Sequence, residues 1–279
     1  MNSGEILSYV TFFYFFCFFF YLIMIFTFKD IFGLMGTYLT LFTLLLHSYG
    51  IVLRWIESYK MGIGHAPLTN LYESLIFFAW AIIFLYLIVE FKTKNRSPGV
   101  FTTPVAFLIM AYASYGGMES RITPLIPALK SNWLIAHVVT CFVGYGAFAL
   151  AFSLSIMYLL KQRKENPNSS ILNIIPPVHI LDELTYQIIA IGFVMLTLGI
   201  ITGAVWAHYA WGRYWGWDPK ETWSLITWLI YGAFLHGRYV RGWRGRLLAV
   251  LSIVGFLSVI FTYLGVNLLL SGLHSYATG

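Results

Sequence analysis

The chain has 279 residues, of which 59% are hydrophobic, 19% aromatic and only 10% charged, with a formal net charge of +6. Its mean hydropathy of +0.76 excludes an ordinary soluble domain, whose surface needs about a quarter of its residues charged. With two cysteines, Cys17 and Cys141, and no C-x-x-C, thiol–disulfide chemistry and cysteine metal sites are unsupported.

Apolar runs long enough to cross a bilayer recur along the whole chain. Eight spans are predicted, at about 7–28, 31–54, 71–91, 99–115, 133–160, 185–208, 221–238 and 246–270, making residues 1–279 a single all-α polytopic membrane domain. The first span is expected to be an anchor: its leader carries Glu5 without Lys or Arg, and no small-residue cleavage site follows. His47 falls within span two, and His65 in the loop after it. Span three opens with "NLYES", where Asn70 suits the N-cap and Glu73 the third helical position. The segment "GGMESRITPLIPALKSN" after span four reads as a loop along the membrane surface. Span five carries His137 near its start. "KQRKENPNSSILNIIPPVHILDEL" reads as a polar loop, with Pro176 and Pro177 breaking any helix and His179 assigned no role. Span seven carries His236 near its far end, and His274 follows span eight.

Positive charge orients these spans. The loops after spans one, three, five and seven hold eleven of the seventeen Lys and Arg residues, among them Lys92, Lys94, Arg96, Arg238, Arg241 and Arg244. By the positive-inside rule that side faces the cytoplasm or stroma, and both termini face the trans side. The net charge therefore reflects topology, and no nucleic-acid partner is implied.

On the trans side, between spans six and seven, lies "WGRYWGWDPKETWSLITW", with five tryptophans in eighteen positions. An interfacial aromatic belt accounts for Trp55, Trp133 and Trp243 near span ends. It accounts less well for Trp206, Trp211, Trp215, Trp217, Trp223 and Trp228, which fall within 23 residues. Gly212 and Gly216 alternate with the rings and let the backbone approach a flat partner. The charges have a structural role: Asp218 as N-cap, Pro219 at the first helical position and Glu221 closing a capping box. No acid–base catalysis is assigned to Asp218, Glu221 or Glu73. Residues 209–221 form a rigid external platform suited to binding.

His137 and His274 are expected at the level of this platform, flanking it in sequence. Two such histidines suit the axial positions of a planar metallocycle, and haem is flat, apolar over its faces and takes imidazole above and below. His236 lies fourteen residues below Thr222, about 21 Å at helical rise, deep in a core of roughly 30 Å. Trp228, Gly232 and His236 share one helix face, leaving a slot beside the imidazole.

"WGRYWGWDPKETW", His137, His274 and "FLHGR" resemble the tryptophan-rich WWD family of haem-handling membrane proteins. The resemblance is closest to the CcsA/ResC branch, which serves System II cytochrome c biogenesis, and "NLYES" and "LHSY" agree with it. It implies that the loop binds haem b through Trp211, Trp215, Trp217, Asp218, Trp223 and Trp228. It also implies that His137 and His274 are external axial ligands and His236 an in-membrane ligand. The second in-membrane histidine would come from a CcsB/ResB-like membrane subunit. Further implied partners are apocytochrome c, presenting C-x-x-C-H, and a thioredoxin-like thiol reductant. The activity implied is haem transport and attachment within a holocytochrome c synthase, in a bacterial cytoplasmic or plastid thylakoid membrane. The alternatives are CcmC-like haem delivery without thioether formation, and a transporter or quinone-binding subunit. His208, beside the platform, is a lesser candidate.

Overall fold

The computed structural model describes residues 1–125, 129–163 and 174–270, and all regular structure among them is helical. The helices are α1 (Ser3–Thr27), α2 (Asp30–Lys60), α3 (Leu71–Thr93), α4 (Gly99–Tyr115), α5 (Asn132–Arg163), α6 (Val178–Trp211), α7 (Pro219–Tyr239) and α8 (Arg246–Ile260). A π-helical turn, Phe261–Gly265, continues α8 into a short α9 (Val266–Leu269). Among the described residues, six helices are long and apolar enough to cross a membrane, the last running Arg246–Gly265. The other two, α4 with 17 residues and α7 with 21, correspond to predicted spans four and seven. The protein is an all-α integral membrane protein.

Several boundaries depart from the sequence reading: α1 starts at Ser3 rather than about 7, and α2 runs on to Lys60 rather than about 54. Helix α6 starts at Val178, seven residues before the expected span, so part of the supposed polar loop is helical. Pro177 serves as its N-cap, in extended backbone (φ −52°, ψ 146°). The polar pair that made this stretch look like loop is neutralised from α7: Arg238 donates to Asp182 at 2.5 Å and to Glu183 at 2.9 Å. The π turn had no sequence signal.

Helix α1 packs on α2 and α4, α3 on α4 and α5, and α5 on α6 and α8, with α7 against α6 and α8. Along the α5–α6 contact the two backbones approach closely. A Cβ on Gly144 would stand 3.1 Å from the Gly192 carbonyl oxygen, and one on Gly199 would stand 2.5 Å from Cys141 Sγ. Between membrane helices there is no hydrophobic drive, so small residues that let backbones meet supply the packing energy. Alternate loops gather at opposite ends. At one end Ser3 N–H donates to Glu57 (2.9 Å), and Arg54 to the Ser120 carbonyl (2.8 Å). At the other, Arg96 pairs with Asp30 at 2.6 Å.

The opening of α3 is built around a buried ion pair. Arg54 Nε meets Glu73 Oε1 at 2.8 Å, with side chains 5% and 1% exposed. Glu73 Oε2 accepts both the amide and the hydroxyl of Thr69 at 2.9 Å, and Asn70 caps the helix by accepting the Glu73 amide at 2.8 Å. Removing one partner of such a pair strands a buried charge, at a cost of about 3–5 kcal/mol. Glu73→Gln and Arg54→Met are each expected to lower the thermal midpoint of the detergent-solubilised protein. The double variant Arg54→Met/Glu73→Met should lose less than the sum of the two.

Candidate functional site

The tryptophan loop starts where α6 ends. Gly212 takes the left-handed conformation (φ 74°) and its amide donates to the His208 carbonyl at 2.8 Å. Five residues later Trp217 is also left-handed (φ 56°), an uncommon conformation for a residue with a Cβ. What holds it there is the start of α7. Asp218 and Glu221 form the capping box expected from the sequence, with Pro219 at the first position. Glu221 Oε2 gathers the amides of Gly216 (2.7 Å) and Asp218 (3.1 Å), and Asp218 Oδ2 accepts the Lys220 amide at 3.1 Å. Both carboxylates thus fix the loop.

Beneath the loop, between the ends of α5, α6 and α7 and the π turn, is a cavity of about 280 Å³. Its wall includes His137, Trp206, Trp211, Tyr214, Trp215 and Lys220, with Tyr145, Thr262 and Tyr263 deeper in the fold. The π turn is what brings Thr262 and Tyr263 to this wall, and such turns recur at functional sites.

His137 is half-buried on α5, and its placement is set by α6. Its Nδ1 lies 2.7 Å from the Gly199 carbonyl oxygen. A carbonyl only accepts, so Nδ1 carries the proton and Nε2 of the neutral ring carries the lone pair. Trp206 lies nearly parallel to the imidazole (18°, centroids 6.1 Å apart), and Cys141 Sγ is 3.6 Å from Nδ1. Gly203 makes the space: a Cβ there would stand 2.6 Å from His137 Nδ1. One imidazole with a defined lone pair, in a mainly aromatic and aliphatic cavity that also carries Lys220, Glu221 and a few hydroxyls, is a donor set that fits haem iron. The volume lies near the lower end of ligand sites, about 300–1,000 Å³, so a large planar ligand held there would leave one edge outside.

The other sequence candidates are distributed as follows. Trp211 and Trp215 line the cavity; Trp217 does not, being 69% exposed with its ring edge-on to Trp215 (5.7 Å, 88°). Trp223 packs on Phe261 of the π turn at 4.2 Å. Trp228 stacks on Phe193 at 5.0 Å and donates from Nε1 to Thr197 at 2.8 Å. Gly232 follows on the same face, with room for a Cβ 3.7 Å from Phe193, and His236 is exposed toward the opposite end of α7. His274 lies outside the described residues. His208 stacks on Tyr214 (4.3 Å, 6°), and His47 is buried with Nδ1 2.9 Å from the Tyr14 hydroxyl. His65 contacts the carbonyls of Ala66 (2.9 Å) and Thr123 (3.1 Å), and thus ties two loops together. Trp206, Tyr214 and Lys220 were not among the sequence candidates. Lys220 sat in plain view inside "WDPKE", but its chemistry depends on which way the capped helix turns it. Lys220 stands one residue before span seven; burial pushes its ammonium down to about 8, and Asp218 works in the opposite direction.

Comparisons with known proteins agree with this architecture. The sequence model of the family "Cytochrome C assembly protein" matches residues 68–274. The chain is 43% identical over 277 residues to the cytochrome c biogenesis protein CcsA of Mesostigma viride, covering 90% of this chain and 89% of that one. It is 40% identical over 271 residues to CcsA of Microcystis aeruginosa, covering 80% and 81%. Among solved structures it is similar to the cytochrome c haem lyase CcmF, with a TM-score of 0.69 at 18% identity, which is a likeness of fold. That match covers 95% of this chain and 47% of CcmF, so the chain spans about half the length of that structure. By the extent of the family match and by these identities, the chain belongs to the cytochrome c assembly family.

Proposed function

We propose that this protein is the haem-handling and attachment platform of a cytochrome c synthase. Haem b is held in the outer cavity, with His137 as one axial ligand and His274 as the other. The observation that carries the reading is the His137 imidazole, whose Nδ1 is engaged by the Gly199 carbonyl so that the lone pair sits on Nε2 in an aromatic cavity. Trp211 and Trp215 contact the macrocycle; Trp217, Asp218 and Trp223 hold the loop's shape.

The substrate peptide is an apocytochrome c presenting C-x-x-C-H. Each thiol adds across a vinyl C=C, its sulfur to one carbon and its proton to the other, so no electrons are gained or lost. The cysteines must arrive reduced, which is the task of a thioredoxin-like thiol reductant. The protein's own contribution is orientation of two reactants in a bounded space. His236, exposed beside Trp228 and the opening at Gly232, is a second haem ligand within the membrane. Its exposure is what a site shared with a CcsB/ResB-like subunit requires. Haem passes from His236 to the outer cavity, on the trans side of a bacterial cytoplasmic or thylakoid membrane.

Protein purified in detergent from haem-replete cells, with its partner subunit, is expected to show the absorption spectrum of bis-imidazole haem; a colourless preparation would sink the proposal. His137→Gly should lose that haem, and millimolar imidazole in the medium should restore it, because an axial ligand need only be a neutral nitrogen donor.

Gly203→Ala places a methyl 2.6 Å from the present Nδ1 position and must move the ring. We expect haem per molecule to fall severalfold while the thermal midpoint changes little. Unchanged haem content in this variant would remove His137 from the ligand set.

A further inference from the structure

We propose that the positively charged end of the bundle, away from the outer cavity, binds the phosphate headgroup of an anionic membrane lipid between Lys94 and Arg96. A second cavity, of about 190 Å³, opens there between α2 and the end of α3. Its wall includes Thr37, Glu90, Lys94 and Arg96, with Tyr38 and Phe91 on the apolar side. The buried part of that wall is already satisfied. Glu90 accepts from the hydroxyls of Tyr21 (3.0 Å), Tyr86 and Thr37, and Arg96 Nε stands 3.9 Å from it. Arg96 also donates from Nε to Thr37 at 3.2 Å and from Nη1 to Asp30 at 2.6 Å. Its Nη2 and the ammonium of Lys94 meet no acceptor among the described residues.

Lys94 is the left-handed C-cap of α3 (φ 56°), with its amide donating to the Glu90 carbonyl at 2.8 Å. Glycine or asparagine is usual at such a position, and a long side chain is disfavoured there. Backbone strain of this kind gathers at ligand sites. A lysine also complements the helix dipole, but any place in the last turn serves that purpose, and Lys92 already fills one. The flanking surfaces say which phosphate fits. Ile31, Met35, Tyr38 and Phe42 form an exposed stripe along α2, and Phe84, Ile88 and Phe91 form one along α3. The cavity lies where the two stripes reach the charged end. A lipid phosphate held at Lys94 and Arg96 lays its acyl chains along these stripes, whereas a soluble phosphate gains only the two cations. Basic pockets between membrane helices on the side of the positive loops take anionic headgroups in this way. Bound there, the lipid ties α2 to α3 and sets their depth in that leaflet.

The test uses the full chain in dodecyl maltoside, stripped of bound lipid and titrated with dioleoylphosphatidylglycerol, dioleoylphosphatidylcholine or dioleoylglycerol. Native mass spectrometry counts the molecules bound, and inorganic phosphate is added as a competitor at fixed ionic strength. A cation at the membrane surface is worth about fivefold in affinity for an anionic lipid. Phosphatidylglycerol should therefore bind at least about fivefold more tightly than phosphatidylcholine, and dioleoylglycerol should not compete. Lys94→Gly relaxes the backbone as it removes the ammonium. The thermal midpoint of the lipid-free protein should hold or rise, while affinity for phosphatidylglycerol falls about fivefold. Lys94→Asn, which also suits the left-handed position, should behave alike. Lys92→Gln removes an equal charge from the same end but outside the cavity wall, and should keep most of the affinity. Equal binding of the two phospholipids by wild type overturns the proposal, and so does an equal loss in Lys92→Gln and Lys94→Gly, which would mean diffuse charge rather than a site. Inorganic phosphate that displaces the lipid at equal concentration overturns the lipid as occupant.

Discussion

A carbonyl on one membrane helix can accept a hydrogen bond from an imidazole on its neighbour only if the two backbones nearly touch. That is the condition α5 and α6 meet. Gly144, Gly192 and Gly199 remove the side chains that would keep them apart, and Gly203 leaves the hollow into which the His137 ring fits. The hydrogen bond to Gly199 O then sets the tautomer and the ring plane together. Without the glycine seam, α5 would stand further off, His137 would choose its own rotamer, and the cavity would lose the wall it shares with Trp206. In water such a seam would compete with hydrophobic contacts elsewhere. In lipid, where neighbouring chains are as apolar as the helix, close packing is the main source of association and can be spent on geometry.

The second constraint is the loop. A tryptophan-rich segment left to itself would collapse against the bilayer interface, where these rings are at home. Here a left-handed Gly212, a left-handed Trp217 and the Asp218–Glu221 capping box fix both its ends. Glu221 reaches back to the Gly216 amide, so the loop's last turn is pinned to the helix that follows. The result is a roof with Trp211 and Trp215 on its inner side and Trp217 on its outer side. Rings with the same identity in the same motif therefore do different work, which no count of tryptophans distinguishes.

The far end of the protein obeys another economy. Charged residues there are neutralised in pairs across helices: Arg238 by Asp182 and Glu183, and Arg96 by Asp30. The first of these lets α6 run seven residues past its apolar stretch, and it anchors the base of the helix that carries His236. Of the haem-site histidines of the proposal, His137 and His236 thus stand on helices held at opposite ends of the molecule.

The sequence by itself determined the helical membrane class, the number of main helices and their approximate centres, because a bilayer demands a long apolar run for each crossing and little else does. It also determined the Asn70 and Asp218 caps, whose signals are local and contiguous. His137 and the tryptophan loop stood out for the same reason, as residues too costly to place by chance. What only the tertiary structure decided is which of those residues face one another. The tautomer of His137 depends on a carbonyl 62 positions away, the helical start of α6 on an arginine in α7, and the cavity wall at Thr262 and Tyr263 on a π turn without a motif. Lys220 was readable as part of a helix start, but its place on the cavity wall is a property of the folded loop and helix together. Each of these is a relation between distant segments, fixed by packing, and packing is not written in any one segment of the chain.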